Sequence, residues 1–179
     1  MSTVAELFGV NKIVGAVVGL ELEVEGTRLP VEIEGWRTER DGSLRDGLEY
    51  VMAVPSGALN TKELLEKVQE AFTANKTKTN YSFRTSTHCH INVSNLDIEQ
   101  VKVILVLYYL FENQYSQYCA KGRAGNRFCL RLSDAEYINR HIRQFITTNR
   151  LPAKDEGKYC AMNMVPLSSY GTLEVRTLK

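Results

Sequence analysis

The sequence predicts an α+β fold, with a mainly antiparallel, curved sheet that keeps one polar face open and packs helices on the other. Period-two alternation marks strands in the first third and at the end of the chain, and apolar helical patterns lie between them. The charged strand residues repeat on one face only, which leaves that face open for function. With 179 residues, the chain is expected to form a single domain over 1–179.

The first third of the chain is predicted to consist of strands. Apolar and acidic or polar residues alternate across residues 13–40, a pattern typical of an antiparallel strand pair. The Asp41-Gly42 turn signal then leads to a further strand at residues 48–54.

Helices are predicted from capping signatures, in which a short polar residue is followed three positions later by an acidic or amide side chain. The three signatures are Asn60 with Glu63, Asp97 with Gln100, and Ser133 with Glu136. The helices are expected to end near residues 75, 118 and 148, and the second of them is expected to be buried because it is apolar throughout.

Strand patterns return around and after these helices. Residues 81–93 alternate again, a short run follows at 159–165, and a final strand is expected at 172–178. One face of the 81–93 strand carries four polar residues: Ser86, His88, His90 and Asn92.

Composition excludes several classes of protein. The 22 basic and 21 acidic residues give a net charge of +1, so a strongly basic nucleic-acid-binding surface is not expected. The four cysteines form no C-x-x-C motif, which favours reduced thiols in a cytoplasmic protein over a zinc ribbon or a disulfide framework. The longest apolar run, residues 13–20, is too short to cross a bilayer and leads directly into acidic residues.

Two residue pairs are candidate metal ligands. Glu21-x-Glu23 aims two carboxylates to one side of a strand, where they could bind a hard cation such as Mg²⁺. A solvated strand face is the more common meaning of such a pair, and Glu32-x-Glu34 shows how readily the pattern arises. His88-x-His90 would ligate a metal or contact a phosphate, or would form a pair of half-exposed histidines.

Arginines supply the candidate phosphate contacts. Glu174-x-Arg176 pairs a carboxylate for metal with a guanidinium for phosphate, unless it is an ordinary ion pair. Arg123, Arg127 and Arg131 form a local basic cluster in a glycine-containing loop, which lacks the aromatic series of a nucleic-acid site. Together, the three strand pairs provide what a metal-dependent phosphoryl-transfer site requires.

Five different short motifs occur along the chain. They are Gly19-Leu20-Glu21-Leu22-Glu23, Asp41-Gly42-Ser43-Leu44 with Glu49, Thr87-His88-Cys89-His90-Ile91, residues 159–163, and Gly171-Thr172-Leu173-Glu174-Val175-Arg176. In order and spacing the set resembles the amidoligase family of the glutamine synthetase and glutamate-cysteine ligase superfamily of carboxylate-amine ligases, especially its short phage and bacterial forms.

The resemblance implies a glutamine synthetase-like catalytic fold and a role for each matching residue. Two or three Mg²⁺ ions, with Mn²⁺ as a substitute, would bridge the ATP phosphates, and their ligands would be Glu21, Glu23, Glu49, His88 and Glu174. Catalytic roles fall to Arg176 at the γ-phosphoryl group, to His90 at the substrate, and to Glu49. Nucleotide contacts fall to Arg123, Arg127, Ser43 with Asp41, and Asn163.

The expected activity is an ATP-dependent ligation of a small-molecule or peptide carboxylate to an amine through an acyl phosphate, in the cytoplasm of the cell or of a phage host. The alternatives are a deamidase or isopeptidase on the same scaffold, and a catalytically inactive phage assembly or binding module. The resemblance is compatible with a monomer or an oligomer. The chain ends three residues beyond Arg176, whereas family members usually continue, so a truncated form is one expectation.

Overall fold

The protein is described by a computed structural model over residues 2–119 and 126–178. Within these residues, seven strands form one antiparallel sheet, and helices connect them. The strands are β1 (Val18–Thr27), β2 (Trp36–Glu39), β3 (Gly47–Met52), β4 (Lys78–Asn80), β5 (Ser86–Asn92), β6 (Met162–Asn163) and β7 (Thr172–Leu178). The helices are α1 (Val4–Phe8), α2 (Ala58–Ala74), α3 (Ile98–Leu110), α4 (Glu112–Cys119), α5 (Glu136–Thr148), α6 (Lys154–Gly157) and a 3₁₀ turn at Val165–Ser168. The fold is therefore α+β, as the sequence predicts.

The strand order is β2-β3-β1-β5-β7-β6, with β4 paired to the end of β1. The predicted strand pair within residues 13–40 is wrong, because β3 lies between β1 and β2. Both edges of β1 are occupied, by β3 on one side and by β5 and β4 on the other. The apolar residues between the two strands join a core instead: Ile33 is buried, and the Trp36 indole donates a hydrogen bond to the Leu64 carbonyl of α2 at 3.0 Å.

Helix boundaries follow the predictions in part. The Asp97 capping box forms as expected, with the Asp97 amide donating to the Gln100 side chain at 2.9 Å. Helix α2 begins earlier than predicted, after Gly57, and Asn60 lies within its first turn, where its amide donates to Ser56. Helix α5 begins after Ala135 rather than after Ser133.

The long helix expected to reach residue 118 is interrupted at Phe111, which separates α3 from α4. Helix α3 is also only half-buried. Val101 and Leu105 are fully enclosed, whereas Val103 and Leu110 are 57% and 68% exposed. One side of this apolar helix is therefore not covered by any described part of the chain.

The strand predicted at 81–93 is shorter, covering only 86–92. Residues 81–85 form a turn in which the Thr85 hydroxyl donates to the Ser82 carbonyl at 3.0 Å and accepts from the Ser82 amide at 3.2 Å. These local hydrogen bonds replace the strand pairing that the alternation suggested.

The core lies on one face of the sheet. Leu20 and Cys89 pack with Leu64 and Val68 of α2 in one cluster. A second cluster joins Leu173 and Val175 of β7 to α3 and α5. Since Cys89 and Val175 are register partners, both clusters lie on the same side. The opposite face carries the charged residues of β1, β5 and β7. No helix within 2–119 and 126–178 is long and apolar enough to span a bilayer.

Candidate metal and anion site

Sheet register brings the predicted metal ligands together. Glu21 pairs with His88 of β5, and Glu23 pairs with Glu49 of β3 on its other side. One strand further, His90 pairs with Glu174 of β7. Since side chains on adjacent strands in register share a face, period-two alternation places all of these groups on the polar side.

Five side chains form a carboxylate–histidine cluster: Glu21, Glu23, Glu49, His88 and Glu174. Within it, ligand atoms of Glu21, His88 and Glu174 all lie within 4.8 Å of one another, and so do those of Glu23, Glu49 and His88. Both sets could hold a metal ion. Four carboxylates and one imidazole fit Mg²⁺ through their oxygens and Mn²⁺ through the mixed oxygen and nitrogen set.

His88 is the centre of this cluster and is 2% exposed. Its Nδ1 lies 3.2 Å from Glu21 Oε2 and 3.4 Å from Glu174 Oε1. Its Nε2 lies 2.8 Å from the Ser86 hydroxyl and 3.5 Å from Glu23 Oε2. The imidazole therefore stands between the two groups of potential ligands.

Ser86 determines which nitrogen of that ring is available to a metal ion. The Ser86 hydroxyl donates its single hydrogen to the Glu23 carboxylate, which only accepts, so its oxygen accepts from Nε2–H of His88. In the metal-free protein Nδ1 lies within hydrogen-bond distance of Glu21. A histidine that binds a metal is neutral, and with its hydrogen on Nε2 its lone pair would lie on Nδ1, facing Glu21 and Glu174. A lone pair directed at two carboxylates is suited to a cation between them, and the contact to Ser86 is the kind that orients metal-binding histidines.

Glu174 is held by two donors. The Asn163 amide donates to its Oε2 at 2.6 Å, and the Arg176 guanidinium donates to its Oε1. Glu174 is 3% exposed, so both contacts lie in a desolvated environment where they hold the carboxylate in one orientation. Asn163 thus supports a potential metal ligand rather than facing the cleft described below.

His90 lies at the rim of the cluster. Its Nε2 is 3.1 Å from Glu21 Oε1, and its Nδ1 is 3.1 Å from the Thr172 hydroxyl. Burial lowers the pKa of His90, but the hydrogen bond to Glu21 and the negative charge of Glu174 outweigh it, so the pKa lies above its ordinary value. Burial likewise raises the pKa of Glu21, yet hydrogen bonds from both histidines hold it well below its ordinary value.

The ionised form of Glu49 is disfavoured by its surroundings in the cluster. Burial and then the negative charges of Glu21 and Glu23 raise the pKa of Glu49 to about 7. Carboxylates gathered this closely repel one another, and a bound cation would remove that repulsion.

A polar cleft of about 200 Å³ adjoins the cluster at the Glu23 end. We call it the anion cleft, and its walls are Glu23, Asp41, Ser43, Arg84, Phe128, Lys158, Tyr159 and Arg176. Three of these walls are cations and two, Glu23 and Asp41, are carboxylates, an arrangement that suits a polyphosphate that carries a metal ion. The turn that carries Ser43 is braced by buried Glu25, which accepts from the Arg45 amide at 2.7 Å, and by Arg84, which donates to the Ser43 carbonyl.

The described arginines of the predicted basic cluster, Arg127 and Arg131, do not line the anion cleft. Arg127 is exposed, and its guanidinium lies over the Phe128 ring, 4.8 Å from the centroid. Arg131 forms an ion pair with Asp134 at 2.8 Å. Arg123, which was also predicted to contact the nucleotide, lies outside the described residues. Arg84 and Lys158 supply the cations of the anion cleft instead.

Three of these functional candidates were not predicted from the sequence. Ser86 shares the polar face with His88, so its strand position was a usable signal. Arg84 lies in the 81–85 turn and Lys158 follows α6, where no periodic pattern identifies a direction for either side chain.

No protein-family model and no curated protein matches the chain.

Proposed function

We propose that the protein is an ATP- and divalent-metal-dependent carboxylate-amine ligase that forms an amide or isopeptide bond through an acyl phosphate, on a glutamine synthetase-like sheet. One observation carries the proposal. The carboxylate–histidine cluster, with two groups of potential metal ligands sharing His88, lies directly against a cleft with three cations. Metal ligands beside phosphate-binding cations are the parts that phosphoryl transfer requires.

Each part of the chain has a defined task in this reaction. Bound Mg²⁺ or Mn²⁺ would neutralise phosphate oxygens and act as a Lewis acid. Glu21, Glu174 and the Nδ1 of His88 would hold one ion, and Glu23 with Glu49 would contribute to a second. The Arg176 guanidinium would bind the phosphoryl group, and its contact to Glu174 keeps it beside the metal position.

The substrates would meet at the rim of the cluster. The triphosphate would occupy the anion cleft, where Arg84 and Lys158 bind its oxygens. The acid would approach from the His90 side, so that its carboxylate attacks the γ-phosphorus in line. An amine then displaces phosphate from the acyl phosphate, and the amine nitrogen loses a proton.

A hydrolase on the same scaffold is the second candidate. Glu49 favours it, because without a bound metal ion its carboxyl group, with a pKa of about 7, is suited to take a proton from water. Such an enzyme would cleave an amide without consuming ATP in proportion to product.

The test is to incubate the protein with ATP, Mn²⁺ and a panel of carboxylic acids, with hydroxylamine as the amine. A ligase releases ADP and forms the acyl hydroxamate in equal amounts, and only when acid and amine are both present. Glu21→Gln and Glu174→Gln should each lower turnover by at least about 100-fold. Glu34→Gln is the matched control, since Glu34 is exposed and pairs with Lys67 away from the cluster.

Three results would contradict the proposal. These are hydroxamate formation by the folded cluster variants at the wild-type rate, amide cleavage without ADP release, and the absence of ATP binding with Mn²⁺ in calorimetry. The second result identifies the hydrolase, and the third identifies a binding or structural module.

A further inference from the structure

A second cleft adjoins the cluster at the opposite end of β1 from the anion cleft. Its volume is about 340 Å³, within the range of small-molecule sites, and it reaches the cluster through Glu21 and His90. Gly19, the register partner of His90, presents no side chain to the floor of this cleft, although a Cβ atom there would make only ordinary contact with the Cβ atom of His90 at 3.7 Å. A ligand in this cleft therefore has direct access to the rim of the cluster.

The lining of this cleft is mostly apolar. Its apolar walls include Ile13, Val17, Val51, Ala53, Pro55 and Tyr170. Val51 is the register partner of Glu21 on β1 and of Arg37 on β2, so its side chain lies on the same face between them. We call this the apolar cleft. Such walls favour a hydrocarbon body over a polar one, since contact with them removes apolar surface from water.

Arg37 provides the only cationic side chain among the described lining residues, apart from the His90 ring. It is exposed, and no described residue forms a hydrogen bond or ion pair with its guanidinium. Two strand spacings, about 10 Å, separate its Cα from that of Glu21. No acidic group other than Glu21 lines the cleft in the described ranges, so an ammonium group would find no partner away from the cluster.

We infer that the apolar cleft binds the acid substrate of the proposed ligase, and that this substrate is a medium-chain dicarboxylic acid with an apolar spacer. One carboxylate reaches the cluster beside His90, where it is phosphorylated. The hydrocarbon spacer lies on Val51 and its neighbours, and the second carboxylate binds Arg37. The inference rests on the proposed function for its chemical step and on the cleft alone for binding.

Three acids distinguish the contribution of the hydrocarbon spacer to binding from that of the second carboxylate. Suberate has eight carbons, and its carboxyl groups lie about 9 Å apart when extended. Succinate has both carboxylates and a short spacer, whereas octanoate has the long chain and only one carboxylate. We expect hydroxamate formation from suberate with a kcat/KM at least about tenfold above that from succinate.

Arg37→Gln isolates the charge contact, because the side chain is exposed and its replacement should not affect folding. It should lower kcat/KM for suberate by about tenfold or more and change that for octanoate by less than about twofold. Arg40→Gln, an exposed arginine next to β2 and outside the cleft, should leave both acids unchanged. Equal losses for suberate and octanoate, or no preference for suberate over succinate, would overturn the inference.

Binding without ATP separates this inference from the ligase proposal. Suberate added to the Mn²⁺-loaded protein should bind in calorimetry at least about tenfold more weakly to Arg37→Gln than to wild type. If that holds while no acid yields hydroxamate, the apolar cleft stands and the ligase proposal fails. If succinate yields hydroxamate and Arg37→Gln changes nothing, the ligase proposal stands and the assignment of the cleft fails.

Discussion

Replacing Ser86 by alanine should weaken metal binding more than it weakens the fold. Ser86 is buried, and its hydroxyl links Glu23 to the Nε2 of His88 at 2.8 Å. Without it, the nearest acceptor for Nε2–H is Glu23 Oε2 at 3.5 Å, beyond good hydrogen-bond geometry. The ring is then free to carry its hydrogen on Nδ1, which would remove the lone pair from the side of Glu21 and Glu174.

Ser86→Ala should change metal affinity and the free energy of unfolding by different amounts. Loss of a group that orients a metal-binding histidine typically lowers metal affinity by about 10- to 100-fold. Loss of one buried hydrogen bond costs about 1–3 kcal/mol of the free energy of unfolding. Ser94→Ala is the matched control, because Ser94 is also buried and hydrogen-bonded, to Asn92 at 2.8 Å, yet lies outside the cluster. It should lower stability similarly and leave metal affinity unchanged.

The assay is Mn²⁺ titration followed by electron paramagnetic resonance, with denaturant unfolding of the same samples. In samples loaded with diamagnetic Mg²⁺, the ¹⁵N shifts of the His88 ring should show Nε2–H in wild type and a changed tautomer in Ser86→Ala. Ser86→Thr keeps a hydroxyl and should restore most of the affinity. If Ser86→Ala binds Mn²⁺ within about twofold of wild type, or keeps the Nε2–H signal, the argument for the tautomer is refuted.

The remaining predictions concern charge. In metal-free protein at pH 8, Glu49→Gln should raise the free energy of unfolding by about 1–2 kcal/mol, because burial and then repulsion from neighbouring carboxylates raise the wild-type pKa to about 7. The same substitution should lower Mn²⁺ affinity. Denaturant unfolding with and without Mn²⁺ should therefore show stabilisation of the metal-free variant and destabilisation of the metal-loaded one, and changes of the same sign would refute the charge argument. Burial raises the pKa of Glu112 to about 7, so between pH 4.5 and 7 the folded state holds this proton more tightly than the unfolded state does. The stability that the bound proton contributes is therefore lost as pH rises through 7. Glu112→Gln, which keeps the acceptor for the Leu132 amide, should remove up to about 3 kcal/mol of that pH dependence, and an unchanged pH profile of unfolding would contradict it. Mn²⁺ at 100 times its Kd should stabilise wild type by about 2.7 kcal/mol, and a melting curve that EDTA does not reverse would exclude a specific site. Arg84→Gln should weaken ATP binding by about tenfold in calorimetry while Arg127→Gln leaves it unchanged, and equal effects would remove the anion cleft from the nucleotide site.

The polar face of the sheet was predictable because its cause is local. Alternation along one strand decides which side chains share a face, so Glu21 with Glu23 and His88 with His90 could be grouped from the sequence. Their convergence then depends on register, which Glu21 opposite His88 and His90 opposite Glu174 provide.

Strand order was not predictable in the same way, because pairing joins residues that are distant in sequence. The alternation of residues 13–40 is compatible with a hairpin, yet β3 occupies the edge of β1 that the hairpin would need. The break at Phe111 had no glycine or proline to signal it. Arg84 and Lys158 were missed since the directions of turn side chains depend on tertiary contacts.

The shared position of His88 also predicts an order of loading. A neutral imidazole has one lone pair, so the first ion takes Nδ1 together with Glu21 and Glu174. A second ion finds only Glu23 and Glu49 and needs further oxygen ligands, which a triphosphate in the adjoining anion cleft would supply. Occupancy of the second position and nucleotide binding should therefore be thermodynamically coupled, each raising the affinity for the other by the same factor.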